Sequence, residues 1–410
     1  MILFVLKILS FLLTLALLGY FGKFGKYIIV NLGSFYIKLG QFLSTREDLI
    51  GKKRAELLQV LQYNVDERNI DLDDNILPEN LIQDLATIEK KPIKSASIAL
   101  VYSGLLKNGD KIAIKIVKQN EKKGLEVDCQ RFLKFCKLLS KFRLLKRFNF
   151  EKIAIDIVNS LKLELDMQNE AKNIAKFRYY NCNELMVSAP FVYEKYSTNN
   201  VLVMEFLEGF TVLDIIKSDK FDQKQKSKIA AIALNSHLKQ VYIDNYFHSD
   251  PHQSNLIWSN NKLYFIDFGA YCKLKKQDAT ALLRIMNAFL NKNYQEIAAI
   301  HMEVKYIDDT VNLSEFEAEC KKIGDQFLNN PNFTISEVFK SLIDTSKKFQ
   351  MQVQPQLILV QKTMVMIEGL IKSLDPTANP LTLSKTMIDK IYFRFKVKNF
   401  IIKLKNFFKK

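Results

Sequence analysis

The sequence predicts an α+β chain of two lobes, a small antiparallel sheet unit followed by a mostly α-helical one, with a helical extension in front. Three observations predict it. No proline occurs before Pro78, while apolar residues recur at helical spacing through Ile28, Ile29, Leu32, Phe35, Tyr36, Leu39, Phe42 and Leu43. After Pro92, the β-rich runs Ser97–Tyr102 and Lys111–Val117 flank Asn108-Gly109-Asp110, a hairpin turn signal. Beyond Gly209 the pattern is mostly helical to the end of the chain. With 410 residues, 48% of them hydrophobic, a sizeable core can form, and the length allows two to three units of ~100–200 residues.

The expected divisions are a hydrophobic membrane-associated segment (1–27), a helical extension (28–85), a first lobe (86–208), a second lobe (209–380) and a basic amphipathic tail (381–410). Met1 to Gly22 is almost wholly apolar apart from Lys7, but its uninterrupted apolar core of about a dozen residues plus Ser and Thr falls short of the ~20 residues that span a bilayer. It reads as an anchor or interfacial helix, with a buried helix as the alternative. A cleaved secretory signal is disfavoured by the motifs that follow. Gly124 to Tyr180 reads as helix, Val201–Phe206 as a strand, and Leu256–Trp258 and Leu263–Ile266 as short strands. No internal repeat or low-complexity linker interrupts the chain.

The formal charge is +16, and the segment from Leu381 contributes strongly to it, with nine Lys/Arg against one Asp. In that tail the cations alternate with Tyr392, Phe393, Phe395, Val397, Phe400, Ile401, Ile402, Phe407 and Phe408, a mixture suited to an anionic membrane surface rather than nucleic acid. Five cysteines without a Cys-x-x-Cys spacing suggest neither a disulfide framework nor a zinc site.

The chemistry concentrates in His248-Ser249-Asp250-Pro251-His252-Gln253-Ser254-Asn255 and the later Asp267-Phe268-Gly269. In kinase-fold enzymes a catalytic-loop Asp accepts the hydroxyl proton, an Asn five positions on binds Mg²⁺, and the Asp of Asp-Phe-Gly binds the Mg²⁺ that bridges phosphates. Asp250, Asn255 and Asp267 have those spacings. Asp-Phe-Gly alone would mark an ordinary turn; the combination points to a bilobal, atypical protein-kinase-like fold. Upstream, Ile112-Ala113-Ile114-Lys115 resembles the strand that carries a phosphate-binding lysine. Glu164, Asp166 and Glu170 are its candidate partners from a helix, on which Asp166 and Glu170 lie four apart on one face while Glu164 looks elsewhere. The Gly-rich phosphate loop is missing, Pro92–Ser97 standing in its place. Ser249 occupies the position of the usual loop Arg, and a helix is expected from Gln277, soon after Asp-Phe-Gly. General protein-kinase activity is therefore disfavoured.

The run Leu32 to Leu49, which contains Lys38-Leu39-Gly40-Gln41, resembles the Lys-x-Gly-Gln signature of the UbiB atypical kinases. Ser95-Ala96-Ser97-Ile98-Ala99 is similar to their Ala-rich loop, Glu164-x-Asp166 to their Glu-x-Asp motif, and Val203-Met204-Glu205 with Gly209 to their hinge. Pro355-Gln356-Leu357 to Lys362, Glu368-Gly369 and Asp375-Pro376 resemble their C-terminal helices, so the likeness runs from about residue 28 to about 380. The resemblance implies that Lys115 pairs with Glu170, that Ser95, Ala96, Ser97 and Glu205 contact the nucleotide, and that Asn255 and Asp267 hold Mg²⁺. It also implies that Lys38 and Gln41 face the pocket near Glu164, with Asp166 in the same regulatory group, and that Asp250, Lys115 and Lys38 act in catalysis.

By the same resemblance the protein is a membrane-associated ATP-dependent kinase or ATPase that supports ubiquinone (coenzyme Q) biosynthesis. It would use Mg-ATP or another nucleotide, act on or mobilise prenylated quinone precursors, and meet other ubiquinone-synthesis enzymes at the cytoplasmic face of a bacterial inner membrane. Two other readings compete. One is a nucleotide-binding pseudokinase scaffold, which would not need two metal ligands and a base. The other is a soluble small-molecule kinase, which would leave the extension and both terminal segments unexplained.

Overall fold

The structure is a computed structural model that describes residues 2–17, 23–44, 50–51, 54, 57–58, 76–95, 98–141, 150–330, 334–351 and 354–407. The chain divides into two compact units, Met1–Lys176 with Pro190–Leu207, and Phe177–Ala189 with Glu208–Lys410.

The first unit opens on α1 (Ile2–Ala16), α2 (Lys23–Leu32) and α3 (Ser34–Leu43). Gly33 separates α2 from α3 with φ 115°, a backbone conformation that a side chain would strain. One side of α1 packs inward: Phe4 and Phe11 lie 6.3 and 6.0 Å, ring to ring, from the buried Tyr36 of α3. Leu3, Leu6, Leu9, Leu12 and Leu13 on its other side are exposed. Among the described residues no helix is long and apolar enough to cross a membrane.

After α4 (Glu79–Asp84) comes the sheet, with β1 (Leu85–Ile88), β2 (Lys94–Ser95), β3 (Ala99–Leu106) and β4 (Lys111–Val117). The β3–β4 hairpin is the one read from the sequence, closed at Gly109 with φ 92°. Alternation along β4 puts Ile112, Ile114 and Ile116 into a core with Leu100, Tyr102, Val201 and Val203, which turns Lys115 to the opposite face. Then follow α5 (Gln119–Leu139), α6 (Phe150–Glu164) and α7 (Met167–Tyr180), the last crossing the boundary between the units. The second unit takes the next segment, with β5 (Val187–Ser188), before β6 (Val201–Glu205) returns to complete the first sheet in the order β1-β3-β4-β6, with β2 on β3.

The second unit continues through β7 (Phe210–Thr211), α8 (Val212–Lys217) and α9 (Gln223–Lys239), the latter two started by capping boxes at Thr211 and Asp222. Next come β8 (Tyr246–His248), β9 (Leu256–Ser259), β10 (Lys262–Phe265) and β11 (Tyr271–Lys273). Asn260 and Asn261, both at positive φ, form the tight turn between β9 and β10. One small sheet runs β5-β10-β9-β7 and the other pairs β11 with β8. Gly209 passes so close to β9 that a Cβ there would lie 2.4 Å from the Trp258 carbonyl oxygen. Helices α10 (Lys276–Leu290), α11 (Tyr294–Glu303), α12 (Leu313–Asn329), α13 (Ile335–Lys348), α14 (Pro355–Leu374) and α15 (Pro380–Phe407) complete the chain. The tail expected from residue 381 is thus part of a long helix, whose Ile388 and Ile391 are buried.

Helix α9 packs against both α14 and α15. Its buried His237 shares a hydrogen bond of 3.1 Å between Nε2 and the Thr363 hydroxyl of α14, and its ring meets Phe247 edge-on at 6.2 Å. Burial drives the His237 pKa down to about 3. Because the folded value lies below the unfolded one, this residue's contribution is complete above pH ~6.5 and declines as pH falls, by about 1.4 kcal/mol per pH unit. Urea unfolding of His237→Gln at a series of pH values from about 7 to about 5 is expected to show a pH slope shallower than that of the parent by about that amount; an identical slope would show that His237 does not bear this linkage.

Candidate functional site

In the first unit, β4 presents Lys115 and the start of α7 presents Glu170. Lys115 Nζ lies 2.7 Å from Glu170 Oε1 and 2.9 Å from Oε2, and the Glu170 side chain is 1% exposed. Of the three acidic candidates, Glu170 is therefore the one that meets this lysine. The helix expected to run through Glu164, Asp166 and Glu170 is broken: α6 ends at Glu164 and α7 starts at Met167. Asp166 sits in the break, where its Oδ1 accepts from the backbone N–H of Gln168 and of Asn169, both at 3.1 Å. It caps α7 and shares no helix face with Glu170, which corrects the expected geometry. Capping gives the first orphan amides of α7 a partner and so fixes the turn that carries Glu170.

Glu164, at the end of α6, forms an ion pair with Lys38 of α3. The extension is also held by Ser34, whose hydroxyl donates to Glu121 of α5. Gln41 is on α3, one helical turn beyond Lys38, and is half-buried. Ser95 is on β2, where its hydroxyl accepts from Lys118 Nζ at 3.3 Å; Ala96 and Ser97 lie outside the described residues. Glu205 ends β6, its Oε2 accepting from the Phe191 backbone N–H at 3.0 Å.

In the second unit, His248 organises the carboxylates. Its Nδ1 accepts from the Asp250 backbone N–H at 3.1 Å, so that nitrogen carries no proton, and its Nε2–H donates to the Asp267 carbonyl oxygen. Its own backbone N–H donates to the buried Gln240 side chain at 3.0 Å. The imidazole is buried and its pKa lowered, first by loss of solvation and against the charges of Asp267 and Asp250, so the ring stays neutral at neutral pH. The loop and the Asp-Phe-Gly segment are further joined by Ser249 N–H to Ala270 C=O at 3.0 Å. Phe268 is fully buried, with Phe177 edge-on at 5.2 Å and Tyr271 stacked at 5.3 Å. His248 was legible only as part of a motif; the signal for its role was a histidine next to Tyr246-Phe247, since a polar ring buried there must be hydrogen-bonded.

Asn255 and Asp267 stand at the same end of the β9–β10 ladder. Leu256 pairs with Phe265, and Ile266 N–H donates to Asn255 C=O at 3.0 Å. An amide oxygen and a carboxylate are the hard donors that Mg²⁺ prefers. Among the described residues no group of three or more His, Cys, Asp or Glu could hold a metal. A metal held by this pair would complete its shell with phosphate oxygens and water, as Mg²⁺ does in phosphoryl-transfer sites. Asp250 Oδ1 is buried without a hydrogen-bond partner among the described residues, an acceptor left for something the chain does not itself supply.

A strand lysine paired with a helix glutamate in the first unit, and a catalytic-type Asp, an Asn and an Asp-Phe-Gly aspartate in the second, define an atypical kinase-like protein of α+β class. The profile of the ABC1 atypical kinase-like domain matches residues 65–301, and that of the UbiB helical domain matches residues 320–379. The chain belongs to the ABC1 atypical kinase-like family. It is 30% identical over 357 residues to a protein named "Probable protein kinase UbiB" from Marinobacter nauticus, covering 84% of this chain and 65% of that one. It is 31% identical over 361 residues to the protein of the same name from Histophilus somni, covering 84% and 66%. The chain thus spans about 65% of the length of these bacterial relatives. A Mycobacterium tuberculosis structure titled as the complex of Rv3197 with erythromycin shares the fold, with TM-score 0.59 and 20% identity over 88% of this chain and 95% of that one.

The Lys115–Glu170 pair is buried enough that its members need each other. Glu170→Gln is expected to lower stability in urea unfolding by about 3 kcal/mol, because the mostly buried ammonium of Lys115 loses the carboxylate charge that both its short contacts reach. The double change Lys115→Met with Glu170→Leu should recover most of that loss. Equal destabilisation by the single and double variants would mean that the pair is not electrostatically coupled.

Proposed function

We propose that the protein is a Mg-nucleotide-dependent atypical kinase or ATPase that supports ubiquinone biosynthesis at a membrane surface, acting on or mobilising prenylated quinone precursors and meeting other enzymes of that synthesis there. The observation that carries turnover over a nucleotide-binding scaffold is the buried, unpartnered Oδ1 of Asp250 on a loop pinned through His248 to Asp267. A buried carboxylate oxygen with no partner among the described residues suits a group that accepts from or orients a bound hydroxyl or water, a role that a fold binding nucleotide alone would not need.

The roles divide by chemistry. Lys115, oriented by Glu170, presents a fixed cation to phosphate oxygens. Asn255 and Asp267 would hold Mg²⁺, which when bound neutralises charge developing on the transferred phosphoryl group. Asp250 accepts the proton of the attacking hydroxyl or water, or orients it. The His248 bridge keeps Asp250 and Asp267 from moving independently. Lys38 places a second cation at Glu164, and the resemblance implies a regulatory place for this pair, with Gln41 and Asp166 on neighbouring segments. Ser95, Ala96, Ser97 and Glu205 are assigned to nucleotide contact by that same resemblance. The cytoplasmic face of a bacterial inner membrane is the location this role requires.

Two nearly isosteric variants test the proposal. Asp267→Asn should abolish Mg²⁺-dependent nucleotide binding and turnover, because the metal loses an anionic ligand. Asp250→Asn should keep Mg-nucleotide binding while turnover falls by ~10²–10⁴-fold, the range for a general base. Binding is read by calorimetry, turnover by phosphate release, and function by ubiquinone content in a bacterial strain lacking its own UbiB-like protein. Full restoration of ubiquinone by an Asp267→Asn protein that binds no Mg-nucleotide would make the scaffold the better reading.

A further inference from the structure

Helix α15 is apolar on two opposite sides. Ser384, Ile388 and Ile391 are buried on one of them, turned into the second unit. At about 100° per residue, Phe393, Val397, Phe400 and Ile401 fall within an arc of roughly 100° on the other side. All four are exposed, Phe393 by 68% and Phe400 by 63%. Core formation cannot account for this second stripe, because the helix already satisfies its packing through the first.

The stripe is framed by charge of one sign. Arg394 and Lys398 border it on one edge and Lys396 on the other, all three exposed, with Lys390 also exposed a turn before Phe393. Lys396 Nζ lies over the Tyr392 ring at 4.9 Å, which holds that cation along the helix flank. The only acidic residue from Leu381 onward is Asp389, and the chain ends with four more lysines, Lys403, Lys405, Lys409 and Lys410. A second copy of this face would bring like charges together along both edges. A planar anionic layer with an apolar interior matches both the stripe and its frame.

We propose that the outward face of α15 docks on an anionic lipid bilayer, the helix lying in the plane of the headgroups with Phe393, Val397, Phe400 and Ile401 inserted and Arg394, Lys396 and Lys398 on lipid phosphates. This deepens the reading of the protein as one that works at a membrane surface by naming the contact and its lipid charge. The cations spaced along the length of the exposed stripe suit a helix lying in-plane.

Flotation of the full chain with phosphatidylcholine vesicles, with and without phosphatidylglycerol, tests it. The parent should float with the anionic vesicles, much less with the neutral ones, and be released as salt rises. Arg394→Glu with Lys396→Glu and Lys398→Glu should weaken anionic-vesicle binding by about 100-fold. Phe393→Ser with Phe400→Ser should weaken it by at least about tenfold. These side chains are exposed, so an unchanged melting temperature verifies the fold. Parent-like binding by both variants, or binding indifferent to lipid charge and salt, would overturn the proposal. So would a solution dimer that the Phe pair abolishes while vesicle binding persists. Basal nucleotide turnover measured without vesicles keeps the two proposals apart. Variants that turn over nucleotide but no longer float support the docking face, and a parent that floats without turnover counts against the catalytic reading alone.

Discussion

A neutral imidazole with both nitrogens committed fixes the chemistry of the second unit. His248 Nδ1 can accept from Asp250 N–H only while unprotonated, and Nε2 can donate to the Asp267 carbonyl only while it carries the proton. Burial enforces that single tautomer by making the charged ring costly. The roles proposed for Asp250 and Asp267 depend on it, because the ring joins the loop to the Asp-Phe-Gly segment alongside the Ser249–Ala270 hydrogen bond and the β8–β11 ladder. The rings of Phe265, Phe268 and Tyr271, at 5.8, 5.8 and 5.2 Å from the imidazole, exclude the water that would otherwise compete for both hydrogen bonds.

The first unit is organised by charge rather than by a neutral ring. Lys115 and Glu170 are mostly withdrawn from water and compensate each other, while Lys38 and Glu164 form a more exposed pair. Burial makes the first pair specific at some cost in stability, since two well-packed apolar side chains would satisfy the same space. The interruption between α6 and α7 separates the two acids: without the Asp166 cap, Glu164 and Glu170 would ride one continuous helix and could not be aimed independently.

Much of this was legible in the chain because its signals are local. The β-rich run around Lys115 and the Asn-Gly turn mark the β3–β4 hairpin, and the short spacing from Asp250 through Asn255 to Asp267 marks a loop, a hairpin and a second loop. The break at Asp166 was misread because neither glycine nor proline marks it, and the surrounding residues are good helix formers. Its one signal was an aspartate able to cap the amides two and three residues ahead. The placement of residues 177–189 with the second unit rests on contacts far apart in sequence, such as Phe177 with Phe265 and Phe268. The division of α15 into an inner and an outer apolar side was hidden because the two stripes lie on opposite sides of one helix, so that in sequence they merge into the alternating aromatic and basic residues of an amphipathic tail.

The most direct measurement is the protonation of the His248 ring, read by nitrogen-resolved NMR of the four histidines with His248→Gln as the assignment control. The account requires an unprotonated Nδ1 and a protonated Nε2 at neutral pH, and a ring whose titration falls below the ordinary histidine midpoint of ~6.5. A ring that titrates near that midpoint, or one that carries its proton on Nδ1, would contradict it.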